Sequence, residues 1–111
     1  MPTPIIKQGD LPTDPDNSII YTTPAGRQAN IKTIKITNEE SDFEISVYRV
    51  INRPDPVYIE PLYSLLYSRQ LNAGDVSNDT DGYELIAGDS IAAFSNVEGT
   101  SYVIDGNTEQ V

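Results

Sequence analysis

Phe43-Glu44-Ile45-Ser46-Val47-Tyr48-Arg49-Val50 alternates apolar and polar side chains with a period of two. Phe43, Ile45 and Val47 fall on one side, and Glu44, Ser46 and Tyr48 on the other. That pattern predicts a strand with one face on a core and the other in water, as in antiparallel sheets. Just upstream, Ala29–Asn38 (ANIKTIKITN) places Ile34 and Ile36 opposite Lys35 and Thr37. Ile31 has the other parity, which predicts a bulge or twist near Thr33. The polar stretch Asn38–Asp42 joins the two runs, so they are predicted to pair as a hairpin.

The same reading extends outward. Ser18–Thr22 is a short β-branched strand ending at Thr23-Pro24-Ala25-Gly26, where Pro24 at i+1 and Gly26 near i+2 suit a tight turn. Downstream, Pro54, Pro56 and Pro61 make residues 51–61 a loop with at most a short edge strand around Val57–Ile59. Leu62–Leu71 fits both helical and strand spacing, and the β-rich context favours strand. Asn72–Gly82 is rich in turn residues, and Tyr83–Ile86, Ser90–Val97 and Ser101–Ile104 read as three further short strands. Ala-Gly-Asp occurs at 73–75 and again at 87–89, too close for a domain repeat. Both read as turns in which Gly supplies a positive φ and Asp accepts from backbone amides.

Short strands separated by turn signals predict an all-β fold, an antiparallel β-sandwich of jelly-roll or immunoglobulin-like type. The 111-residue length suits one domain, expected over residues 18–111. Residues 1–17 carry Pro2, Pro4, Pro12 and Pro15, which break a helix or a central strand. They are expected to form an extended N-terminal arm whose apolar residues Ile5, Ile6 and Leu11 dock on a neighbouring subunit.

Composition narrows the chemistry. The chain has no cysteine and no histidine. That removes thiolate chemistry, most nucleophile–base pairs and the commonest metal ligand. The net charge is −10: residues 1–69 hold nine acids and seven bases, and residues 70–111 hold eight acids and no base. Such a surface repels phosphate backbones and anionic headgroups, so neither nucleic acid nor membrane is an expected partner. The N-terminus shows no charged region followed by an apolar run, and no window approaches a membrane span.

The acidic pairs (Asp14/Asp16, Glu39-Glu40, Asp79/Asp81) all fall in predicted loops, where solvation is the simplest account and a hydrolytic carboxylate pair is not expected. Asp75, Asp79, Asp81 and Glu84 could supply an irregular Ca²⁺ loop. The EF-hand register fails, because Ser77 and Gly88 fall where ligands are needed. No cofactor and no metal ligand set is assigned. Tyrosine is the abundant aromatic, with seven residues, and it supplies contact area at low entropy cost. Tyr48 on the outer face of its strand and Tyr58 in the proline-rich loop, with Arg49 and Arg53, are the expected contact residues beside Ile5, Ile6 and Leu11. Sugar binding by stacked tyrosines is a rival, although their spacing along the chain defines no platform.

Three pieces occur in a recognisable order: the turn Tyr21-Thr22-Thr23-Pro24-Ala25-Gly26, the strand Ile31-Lys32-Thr33-Ile34-Lys35-Ile36-Thr37-Asn38, and, after the strand Phe43–Val50, the turn Leu85-Ile86-Ala87-Gly88-Asp89-Ser90-Ile91. Over residues 19–105 this resembles small β-sandwich accessory structural proteins of tailed bacteriophages, of the capsid-decoration, neck or tail type. The resemblance implies a non-enzymatic virion protein made in the host cytoplasm. It also implies other virion proteins as partners, in a homo-oligomer or symmetric lattice, and it carries over no catalytic residue. The proline-rich 51–61 loop and the arm depart from the pattern. A carbohydrate- or receptor-binding module of a phage tail is the alternative.

Overall fold

A computed structural model describes residues 2–51 and 62–111. Among the described residues, nine strands form two antiparallel sheets packed face to face, as expected for a β-sandwich. They are β1 (Thr3–Asp10), β2 (Ile19–Thr22), β3 (Arg27–Thr37), β4 (Phe43–Ile51), β5 (Leu62–Leu71), β6 (Val76–Asp79), β7 (Tyr83–Leu85), β8 (Ser90–Ser95) and β9 (Ser101–Gln110). The first sheet runs β1-β9-β3-β6, with β7 also on β3; the second runs β2-β8-β4-β5.

The core lies between the sheets and is built from the inward rows the alternation marks. Ile31, Ile34 and Ile36 of β3 and Ile104 of β9 come from one side, and Ile45 and Val47 of β4 from the other; all are essentially inaccessible. Each fully buried aliphatic side chain contributes roughly 1.5–3 kcal/mol relative to exposure.

The parity break in β3 is a bulge. Pairing with β9 shifts register between Ile31 and Thr33, which turns both Ile31 and Ile34 inward. The bulge brings the backbones of β3 and β9 together at Gly106, where a Cβ would lie 2.0 Å from the Asn30 carbonyl oxygen. Only glycine fits there. On the other edge of β3, the bulge marks where β6 (on Ile34–Thr37) gives way to β7 (on Ala29–Ile31).

Two expectations change. The strands β3 and β4 do not pair: they belong to different sheets, and Asn38–Asp42 crosses between them. Buried Asn38 forms that corner. Its side-chain amide donates to the Glu98 carbonyl and Thr100 Oγ1 (both 3.1 Å), its Oδ1 accepts from the Glu40 and Ser41 amides, and its carbonyl accepts from the Gly74 amide. Alternation and loop length are the same for a hairpin and for an inter-sheet corner, so only the pairing distinguishes them.

The N-terminal segment is also not an arm. Residues 3–10 pair along their whole length with β9, from Thr3↔Thr108 to Asp10↔Ser101. Ile5 and Leu11 are buried in the chain's own core, and Ile6 faces solvent. Pro4 is tolerated because β1 is an edge strand, where an amide on the open side has no ladder partner to lose. β1 lacks a readable alternation because Ile5 is its only buried residue.

Smaller differences follow the same logic. Leu62–Leu71 is a strand, and its mixed periodicity comes from a register shift opposite Val47/Tyr48 that leaves Leu66 as the extra residue. The turn-rich stretch contains β6, and β9 continues well past Ile104. The Pro24 turn closes with Arg27 N–H on the Pro24 carbonyl at 3.3 Å. Pro24 is therefore residue i and Gly26, at φ 75°, is i+2.

Candidate functional site

The outer face of the second sheet gathers side chains that lie far apart in sequence. In β4, Tyr48 pairs with Ala92 of β8 on one side and Leu65 of β5 on the other. One step along each neighbour, Phe94 and Tyr63 therefore flank it diagonally. The Tyr48 and Phe94 rings are near-parallel, with centroids 6.2 Å apart and planes at 12°. Tyr63 meets Tyr48 edge-on at 6.3 Å and 76°. The result is a two-ring shelf with a third ring as a wall.

The 3-10 turn Pro15–Asn17 closes one side of the shelf. Asp14 caps it by accepting from the Asp16 amide at 2.9 Å. Ser18 Oγ donates to the Pro15 carbonyl at 2.9 Å, and the Ser18 carbonyl accepts from the Ala93 amide, tying the turn to β8. Pro15, Asp16, Ser18, Tyr48, Tyr63 and Phe94 enclose a shallow depression of about 340 Å³, near the lower end of small-ligand sites.

Of the expected contact residues, Tyr48 is on this face. Arg49 points the other way: its guanidinium reaches Asp89 Oδ2 at 3.3 Å, and Asp89 is fully buried. A buried carboxylate needs such a partner, so Arg49 serves the fold. The same corner joins two of the motif pieces. The Thr23 amide donates to the Asp89 carbonyl (2.9 Å), and the Gly88 amide donates to the Thr23 carbonyl (3.1 Å). The Pro24 turn and the second Ala-Gly-Asp turn are thus one structural corner. Ile5 and Leu11 are core, Ile6 is an exposed side chain on the outer face of the other sheet, and Arg53 and Tyr58 lie outside the described residues.

The acidic loop is divided among separate tasks. Asp75 Oδ2 accepts from the Asn72 amide within its own turn. Asp79 is buried and accepts from the Tyr83 hydroxyl (2.5 Å) and the Asp81 amide (3.0 Å). Among the described residues, no group of three or more carboxylates converges on a point where a cation could sit. Instead Asp79 and Tyr83 of the first sheet face Tyr67 and Arg69 of the second. Arg69 lies 4.5 Å over the Tyr67 ring and donates to Ser77 Oγ at 2.8 Å. Burial, then the nearby negative Asp79, pushes the Tyr67 hydroxyl well above its ordinary pKa; burial and the hydrogen bond to Asp79 do the same for Tyr83. Both stay neutral at ordinary pH and offer no base or nucleophile.

No family model matches the sequence, and no curated protein matches it. Among solved structures, the chain is similar to the CBM22-1–GH10 modules of Clostridium thermocellum endo-1,4-beta-D-xylanase 10B, complexed with xylohexaose. That likeness has 8% identity and a TM-score of 0.46, over 96% of this chain and 25% of that one. It is also similar to a pentameric capsid protein isolated from metagenomic phage sequences, with 14% identity and a TM-score of 0.31, over 98% of this chain and 63% of that one. The chain thus spans a quarter of the first and under two thirds of the second.

Sequence reasoning found Tyr48 and missed Phe94 and Tyr63 as its partners. Along the chain the three stand at 48, 63 and 94. They meet only because β5, β4 and β8 are neighbours, which the hairpin expectation for β3 and β4 concealed.

Proposed function

We propose that this chain is a non-enzymatic virion structural protein of a tailed phage, associating with other virion proteins or with its own copies through the surfaces of the sandwich. The ordered turn–strand–turn resemblance suggests the setting. The observation that supports the mode of action best is the outer edge formed by β5. It is ten residues long, has no proline, carries Arg69 as its sole charge, and exposes Leu62, Tyr63 and Leu65. Among the described residues no strand pairs with its outer side, and a long apolar edge of this kind invites a further strand. Repeated over symmetry-related copies, a modest contact of this kind gains strength by avidity.

Light scattering after size exclusion tests this, on the wild-type chain and on Leu65→Lys, at moderate and high salt. The wild type is expected to self-associate, more so in high salt because screening relieves repulsion between chains of charge −10. Leu65→Lys is expected to be monomeric with an unchanged melting temperature. A wild type that stays monomeric in both salts at high concentration overturns self-association through β5.

A further inference from the structure

The aromatic shelf on the second sheet centres on Tyr48 of β4 and Phe94 of β8, inward of the β5 edge that contributes only Tyr63, and its chemistry is specific. We propose that Tyr48, Phe94 and Tyr63 form a binding site for a neutral glycan. A gluco-configured pyranose stacks on the two near-parallel rings, and its hydroxyls donate to the rim at Asp16. The site stands apart from the virion reading and does not depend on it.

The first reason is shape. Tyr48 and Phe94 lie 12° from parallel, with centroids 6.2 Å apart. The two part-exposed rings share one orientation, and Tyr63 meets Tyr48 edge-on. An aromatic face carries negative potential. It therefore attracts the weakly positive axial C–H bonds that a pyranose with equatorial hydroxyls presents from its flat sides.

The second reason is the polarity of the rim. Asp16 is exposed, and a carboxylate can only accept hydrogen bonds. Ser18 is buried and its hydroxyl is spent on the Pro15 carbonyl, so it adds no donor to the rim. A rim of acceptors suits a ligand rich in hydroxyl donors. It does not suit a proline-rich peptide, which presents carbonyl acceptors and lacks amide donors. None of the described residues lining the shelf is basic. With a net charge of −10, this disfavours sialylated, uronic or phosphorylated sugars and nucleobases on a phosphate backbone.

The third reason is preorganisation. Tyr48 and Phe94 are half-buried on the two central strands, and the Asp14 cap and the Ser18 hydrogen bonds fix the turn carrying Asp16. The site is held by the sheet, so little is lost on binding.

The test is an NMR titration of the ¹⁵N-labelled chain with cellohexaose, with maltohexaose, and with a proline-rich decapeptide, each to millimolar concentration. Cellohexaose is expected to shift amides near Tyr48, Tyr63 and Phe94 and to bind more tightly than maltohexaose. Tyr63→Ala is expected to weaken binding about tenfold. Tyr63 is half-exposed on an edge strand, so the variant retains the fold. Asp16→Ala is expected to weaken binding several-fold, and Lys35→Ala, on the opposite sheet, to leave it unchanged. Three results overturn the proposal: no shift with either saccharide, shifts that map elsewhere, or binding that survives Tyr63→Ala. Binding of the peptide in place of the sugars overturns it in favour of a peptide groove.

Discussion

β1 and β5 hold equivalent positions, each the terminal strand of a sheet, and they are built on opposite plans. β1 carries Pro4, Lys7 and Asp10 along its length and drives Ile5 into the core. Its exposed apolar residue, Ile6, sits opposite Asp105 and beside Lys7. β5 has no proline and a single charge, and its apolar side chains Leu62, Tyr63 and Leu65 face water. Proline and charge on an edge discourage further pairing, and their absence permits it. Of these two edges, among the described residues, β1 is guarded and β5 is open. An interaction protein needs that asymmetry if it is to assemble in one direction without aggregating in both.

The largest effect is expected at the seam that holds the closed edge. Gly106 pairs with Ile5 of β1 and with Ile31 at the β3 bulge. An added methyl meets the Asn30 backbone, which has no flexible end to give way. Gly106→Ala is expected to cost about 3 kcal/mol, read as a lower urea midpoint. A cost below about 1 kcal/mol would mean the bulge can reshape freely. Next comes the direct contrast between the two strands. Ile5→Ala is expected to cost about 2 kcal/mol and Leu65→Ala less than about 0.5 kcal/mol. Equal costs would erase the distinction between a sealed edge and an open one.

The sequence carried the strands more readily than their neighbours. β3, with its bulge, and β4 were legible because a period of two records which side chains are buried. The sheet to which each strand belongs leaves no trace in that period. Asn38–Asp42 reads as a hairpin turn until Asn38 is seen bridging to Glu98 and Thr100, some sixty residues on. β1 was illegible because its partner β9 supplies most of the apolar surface at that edge. The site suffered most from this. Tyr48 could be placed on an outer face from local alternation alone, but the shelf exists only through the β5–β4–β8 adjacency. Arg49 shows the reverse limit: an arginine in an exposed-looking run is committed to buried Asp89, far away in sequence.

The smallest effect concerns the inward side of the open edge. Where β1 turns Ile5 inward, β5 turns Tyr67, whose hydroxyl is buried and has no hydrogen-bond partner among the described residues. Removing an unsatisfied polar group costs nothing in principle. Tyr67→Phe is therefore expected to change stability at neutral pH by less than about 0.5 kcal/mol, or to raise it. The difference emerges in alkali. Burial and the charge of Asp79 raise the folded pKa of Tyr67 above the ordinary tyrosine value of about 10. Above about pH 10 the unfolded chain releases a proton that the folded chain retains. The contribution is complete below that pH and is lost as the pH rises towards the folded value. Phenylalanine has no proton to release, so Tyr67→Phe should lose less stability than wild type between neutral pH and about pH 11. Tyr83, raised by burial and by its bond to Asp79, still supplies part of the slope in the variant. Urea titrations of both proteins at the two pH values provide the comparison. Parallel losses would show that the Tyr67 hydroxyl reaches water, and that the inner face of β5 is as open as its outer one.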